Sequence, residues 1–205
     1  MRERPAAGEA AGALVLLHGR GADEDDLFPL LDELDPERRL HGYTPRGPLS
    51  LPPVAGSVGG AGGAHWYVLG GLGTPERETF AASYAALGEF LDALPYERVV
   101  LGGFSQGCAM AYALALFCGR PRPEALLALS GFIPSVDGYA LDLDSAFPRI
   151  AIVHGAGDEL IPPQWGRAAR DTLEGAGADV FYRESPTGHW IDPDVIPPLR
   201  EFVAG

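Results

Sequence analysis

At 205 residues, with 46% hydrophobic and 21% charged residues, the chain has the size and balance of one globular domain with a substantial core, which excludes a disordered or fibrous protein. The formal net charge is −13 and all 15 basic residues are arginine, so its surface repels polyphosphate and anionic lipid; nucleic acid and stable membrane association are excluded as expectations, and a small molecule of little charge is the expected partner. No apolar run approaches the length of a membrane span, and residues 1–12 lack the apolar core of a secretory signal, which sets the expectation of a cytoplasmic protein.

Residues 1–12, charged and then rich in Ala and Gly, read as a poorly ordered lead-in to a single domain. Short aliphatic runs then alternate with longer helical patterns, the signature of a mostly parallel sheet covered by helices on both faces. The first strand is expected over 13–18, followed by the Gly-rich turn His18-Gly19-Arg20-Gly21 and a helix over 23–34. The acidic run Asp23 to Asp26 is read as the start of that helix, where the dipole favours carboxylates, and not as a metal site. A strand over 40–44 leads into an unpatterned stretch, 45–65, rich in Gly and Pro. Thr74-Pro75, an N-cap residue followed by proline, opens a helix whose core face carries Phe80, Tyr84, Leu87, Leu91 and Leu94.

The strand over 98–104 ends in Gly103-Phe104-Ser105-Gln106-Gly107 and a helix follows over 105–118. The pentapeptide alone is a weak signal; between a buried strand and a helix it reads as a nucleophile elbow, in which a serine occupies a strained turn and flanking glycines avoid collisions. Cys108 and Cys118 share the helix, roughly 15 Å apart, too far for a disulfide. A strand over 125–129, a second unpatterned stretch over 131–147 and a strand over 149–154 come next. Both unpatterned stretches should rise from the end of the sheet that holds the site. A helix over 163–175, a strand over 178–182 and a helix over 193–203 complete the chain.

A serine hydroxyl needs a base within reach and a third group to fix the base's tautomer. His189, in a short loop before the last helix, comes late enough to complete the order serine, acid, histidine; His65 is its rival. Asp158, on the loop after the strand over 149–154, is the expected acid, with neighbouring Glu159 as the substitute. The amides of Gln106 and Arg20 are the expected donors to an oxyanion. Trp66, Phe132, Trp165 and Trp190 lie beside these segments and are candidates for an apolar substrate pocket.

Together, HGRGADEDDL from His18, GFSQG around Ser105, HGAGDELIP from His154 and GHW at 188–190 resemble the carboxylesterase and phospholipase family of α/β-hydrolases, which includes the acyl-protein thioesterases. The likeness runs from about residue 13 to 203. It implies an α/β-hydrolase fold without a large cap domain, no cofactor, and hydrolysis of esters or thioesters through an acyl-enzyme by the same Ser105, Asp158 and His189, with the same two oxyanion amides. Arg20 stands where the thioesterase branch has a small apolar residue, and the stretch 56–64 is unusually Gly-rich, so bacterial carboxylesterase members are the nearer match. The expectation is therefore a carboxylesterase acting on a small-molecule ester. Thioesterase, lysophospholipase or amidase activity, and a catalytically inert ligand-binding protein of the same shape, are the alternatives, and a homodimer is left open.

Overall fold

The computed structural model describes residues 1–51 and 63–205. The Gly-rich stretch noted in the sequence therefore lies, up to residue 62, outside the described residues. Among the described residues, seven strands form the main sheet: β1 (Arg2–Arg4), β2 (Ala13–Leu17), β3 (His41–Thr44), β4 (Val99–Phe104), β5 (Ala125–Leu129), β6 (Arg149–Gly155) and β7 (Val180–Ser185). Their order is β1-β3-β2-β4-β5-β6-β7; β1 is antiparallel to β3 and the other pairs are parallel. Every residue of β2 and β5 is buried, as expected of strands covered on both faces.

Alternation along the strands sends successive side chains to opposite faces. On one face Val15, Leu17, Leu101, Leu126 and Ile152 pack with Phe80, Met110 and Leu173, which belong to α2 (Arg77–Asp92), α3 (Gln106–Leu116) and α4 (Gln164–Gly175). On the other face Leu14, Leu16, Val100, Leu127 and Val153 meet Leu31, Leu34, Leu199 and Val203 of α1 (Phe28–Leu34) and α5 (Ile196–Ala204). α3 is buried along its entire length, which its run of Cys, Ala, Met, Tyr and Leu permits. No helix among the described residues is long and apolar enough to cross a membrane.

Four boundaries depart from the sequence reading. The N-terminal stretch is not a loose lead-in: Arg2–Arg4 is the edge strand β1, and Arg4 is buried in an ion pair with Asp35. α1 begins only at Phe28; Asp23, Glu24 and Asp25 precede it and pair instead with Arg46 and Arg2. α2 is capped by Glu76, whose carboxylate accepts from the amides of Glu78 and Thr79, while Thr74–Pro75 pairs with Leu69–Gly71 in a small antiparallel hairpin. β7 runs to Ser185, three residues beyond the expected end, because Arg183 and Glu184 continue the pairing with Val153 and His154. A charged pair reads as loop in the sequence, yet an edge strand tolerates it.

Candidate active site

β4 delivers the chain to Ser105 at the carboxyl edge of the sheet, and α3 leaves immediately after it. Ser105 has φ of 54° and ψ of −116°, a strained conformation for a residue with a side chain. The neighbours make this turn feasible. A Cβ on Gly103 would lie 2.3 Å from the Gly107 carbonyl oxygen, and one on Gly107 would lie 2.1 Å from that of Leu17 and 2.6 Å from that of His18. These obstacles are backbone and cannot swing aside. Gly107→Ala is accordingly expected to lower stability by about 1–3 kcal/mol and to displace Ser105; an unchanged melting temperature together with unchanged labelling of Ser105 by a fluorophosphonate would refute this.

The two other members of the candidate triad come from loops after later strands. His189 Nε2 lies 2.9 Å from Ser105 Oγ, and His189 Nδ1 lies 2.6 Å from Asp158 Oδ2. A carboxylate only accepts, so Nδ1 carries the proton and Nε2 is left to accept from the serine hydroxyl. Asp158 is buried, and its Oδ1 accepts from the amides of Leu160 and Ile161 at 3.0 and 2.8 Å. The loops holding acid and histidine are tied together: the amides of Ala156 and Gly157 donate to the carbonyls of Ser185 and Thr187, and a Cβ on Gly155 would strike the Gly188 carbonyl. The alternatives weighed for these roles fall elsewhere. Glu159 is exposed, and His65 pairs with Leu49 in a two-residue ribbon.

The loop after β2 faces the turn from the other side. Gly21 N donates to Ala64 O, Ala64 N to Ala22 O, and the Trp66 indole N–H to His18 O at 2.8 Å. The Gln106 side chain, buried, accepts from Trp66 N and donates to Tyr67 O, both at 2.8 Å. Gln106 therefore locks the segment around Trp66 against the start of α3, and that segment locks the Arg20 loop. Among the described residues, the backbone amides of Arg20 and Gln106 donate to no backbone carbonyl.

A cavity of about 430 Å³ opens at Ser105 and His189; its walls include Arg20, Tyr67, Leu69, Leu72, Phe132 and Leu160. Of the four aromatic candidates, only Phe132 lines it. Trp66 is buried behind Gln106 as a structural anchor, because its indole N–H is spent on His18. Trp190 is 58% exposed and packs over Gly188, beside Ser185 and Thr187, since the chain turns outward after His189. Trp165 touches Phe132 but faces a neighbouring cavity. Sequence reasoning missed Leu69, Leu72 and Leu160, which are large, apolar and exposed; Leu160 had a signal, lying two residues after the candidate acid.

Two buried histidines brace the site. His18 Nε2 accepts from Gly47 N at 2.9 Å and its Nδ1–H donates to Gly19 O at 2.7 Å. His154 Nε2–H donates to Ile161 O at 2.8 Å, under the acid loop. Burial lowers both pKa values from the ordinary 6.5. The unfolded chain therefore binds more protons than the native state below that value, so stability is full above about pH 6.5 and is lost as pH falls through and below it. Urea unfolding should show a lower midpoint at about pH 5.5 than at about pH 7.5, with the difference reduced in His154→Gln. Equal midpoints in the parent protein would contradict this.

A serine on a strained turn at the carboxyl edge of a mostly parallel sheet, met there by loops from two later strands, is the arrangement of the α/β-hydrolase fold. Within that class the chain belongs to the phospholipase/carboxylesterase family, whose sequence profile matches residues 4–204. It is similar to the crystal structure of a carboxylesterase from Mesorhizobium loti, with 26% identity, a TM-score of 0.80 and coverage of 100% of this chain and 93% of that one. By sequence it is similar to acyl-protein thioesterase 1 of Candida albicans, 31% identical over an alignment of 198 residues that covers 84% of this chain and 82% of the relative. It also matches acyl-protein thioesterase 1 homolog 1 of Dictyostelium discoideum, 27% identical over 112 residues, 54% of this chain; the match spans 50% of that relative's length. The chain spans about half the length of several of the curated relatives it matches.

Proposed function

We propose that the protein is a serine carboxylesterase with Ser105 as nucleophile, His189 as general base and acid, and Asp158 as the group that orients His189. The observation that carries this reading is the continuous hydrogen-bonded line from Asp158 through His189 to Ser105, at 2.6 and 2.9 Å, at the floor of a cavity walled largely by apolar side chains. Ser105 Oγ attacks the ester carbonyl while its proton passes to His189 Nε2, and buried Asp158 stabilises the imidazolium. The amides of Arg20 and Gln106 receive the negative charge on the carbonyl oxygen. Collapse of the intermediate expels the alcohol, which takes the proton from His189. Water then gives a proton to His189 as it attacks the acyl-enzyme, and the acid leaves as Ser105 recovers its proton.

Thioesters form the second candidate substrate class, favoured by relatives that bear the name acyl-protein thioesterase; the same geometry serves both acyl groups. Paired ester and thioester substrates of graded chain length decide between them. A parent protein that reacts rapidly with a fluorophosphonate at Ser105 and prefers the oxygen ester agrees with the proposal. Absence of labelling removes the serine mechanism, and a thioester preference reassigns the substrate.

A further inference from the structure

One wall of the cavity at Ser105 is the Phe132 ring, and a second aromatic ring that lines a second cavity packs against it. Phe132 lines the 430 Å³ cavity; its ring centroid lies 5.5 Å from that of Trp165. Trp165 in turn lines a second cavity of about 340 Å³, whose other walls include Phe117, Ile133, Val136, Leu141 and Ala168 and carry no charged side chain. The indole is clamped between Phe132 and the hairpin over residues 69–75. A Cβ on Gly73 would stand only 2.5 Å from the ring, so the tip of the 69–75 hairpin rests directly on it. Gly73 O accepts from Ser135 N at 2.9 Å, tying that hairpin to the loop after β5. Hairpin residues Gly71 and Leu72 face the Ser105 cavity, whereas Ser135 faces the second one.

Resting on the esterase reading above, we propose that Phe132, held in place by Trp165 behind it, is the end stop of the acyl site, and that the aromatic pair sets the acyl-chain length the enzyme accepts. With the indole in place, the Ser105 cavity alone holds the acyl chain. With the indole truncated, the Phe132 ring loses its backing and turns into the vacated space, the two cavities join, and the second accepts the distal methylenes of an unbranched aliphatic chain. Its uncharged, mostly apolar walls suit that ligand, and each methylene moved out of water into such a site gains about fourfold in binding.

The test compares p-nitrophenyl esters from butanoate to dodecanoate with the parent, Trp165→Ala, and Trp165→Ala combined with Ala168→Phe, all confirmed folded by circular dichroism. Trp165→Ala is expected to raise the dodecanoate to butanoate ratio of kcat/KM by roughly 10- to 100-fold, the gain of two to three buried methylenes. The added phenyl ring at residue 168, a position that lines the second cavity and not the first, is expected to return the ratio to near the parent value. An unchanged ratio in Trp165→Ala overturns the proposal. A gain that survives Ala168→Phe also overturns it, because the chain then occupies only the volume the indole vacated. Trp165→Leu replaces Trp165→Ala if the latter does not fold. Should the parent show no Ser105-dependent hydrolysis, the esterase reading falls separately, and calorimetric titration with dodecanoate decides the partition. At least tenfold tighter binding to Trp165→Ala than to the parent supports it, and equal binding overturns it.

Discussion

Ser105→Ala is expected to hydrolyse esters at least several hundred-fold more slowly than the parent, with a loss of up to ~10⁶ in kcat where the chemical step limits turnover. The substitution removes the single oxygen that His189 Nε2 faces at 2.9 Å and leaves the strained turn, the amides of Arg20 and Gln106 and the cavity walls in place. What survives is catalysis by binding and oxyanion stabilisation alone, so KM should move little while kcat collapses. Asp158→Asn is expected to follow, with a loss of about 10⁴ in kcat, because an amide presented to His189 Nδ1 favours the wrong tautomer. Steady-state kinetics with a short ester, alongside fluorophosphonate labelling, tests both; near-parental hydrolysis by Ser105→Ala refutes the assigned nucleophile.

Arg4→Ala is expected to be the most destabilising single change away from the site, costing about 3–5 kcal/mol, a large part of the ~5–15 kcal/mol that holds an ordinary domain folded. Arg4 and Asp35 are 3% and 4% exposed and their charged groups meet at 2.6 Å. The Arg4 guanidinium also donates to the carbonyls of Leu31, Asp35 and Leu40, and Asp35 accepts from the amides of Arg39 and Leu40. One side chain thus joins β1, the end of α1 and the start of β3. Its removal leaves a buried carboxylate without its cation and takes one donor from each of three carbonyls, of which Leu31 and Asp35 keep a backbone donor. The melting temperature should fall by about 6–20 °C, and Arg4→Lys should recover only part of it, since a single ammonium cannot reach every acceptor the planar fork serves. A fall of under about 2 °C in Arg4→Ala would show that the pair contributes no net stability.

Much of the sheet was legible because its central strands are nearly continuous apolar runs, as in Ala-Leu-Val-Leu-Leu of β2 and Ala-Leu-Leu-Ala-Leu of β5. The edges were not. β1 reads Arg-Glu-Arg, a solvated pattern in any local window, and becomes a strand because Arg4 finds Asp35 31 residues away. β7 ends in charged residues that local pattern places in a loop, and only its pairing with β6 extends it. Thr74-Pro75 has the chemistry of a helix start, but Glu76 lies two residues on with a carboxylate that reaches two amides, and the better cap prevails.

The candidate site divides in the same way. Ser105, Asp158 and His189 could be chosen from the sequence by residue type, turn chemistry and chain order, since a strand-turn-helix with paired glycines has few other uses and backbone collisions demand those glycines locally. Which aromatic residues face the substrate was not readable, because burial and direction of a side chain depend on partners distant in sequence. Trp66 is turned inward by His18 and Gln106, Trp190 is turned outward after Gly188, and Trp165 stands behind Phe132 on the wall of a second cavity, the two cavities drawing their walls from stretches far apart in the chain. The sequence by itself determined the order of the elements and the chemistry available at the sheet's edge. Tertiary structure alone decided the pocket, since its shape is the space left where segments far apart in the chain pack together, and no local pattern encodes that space.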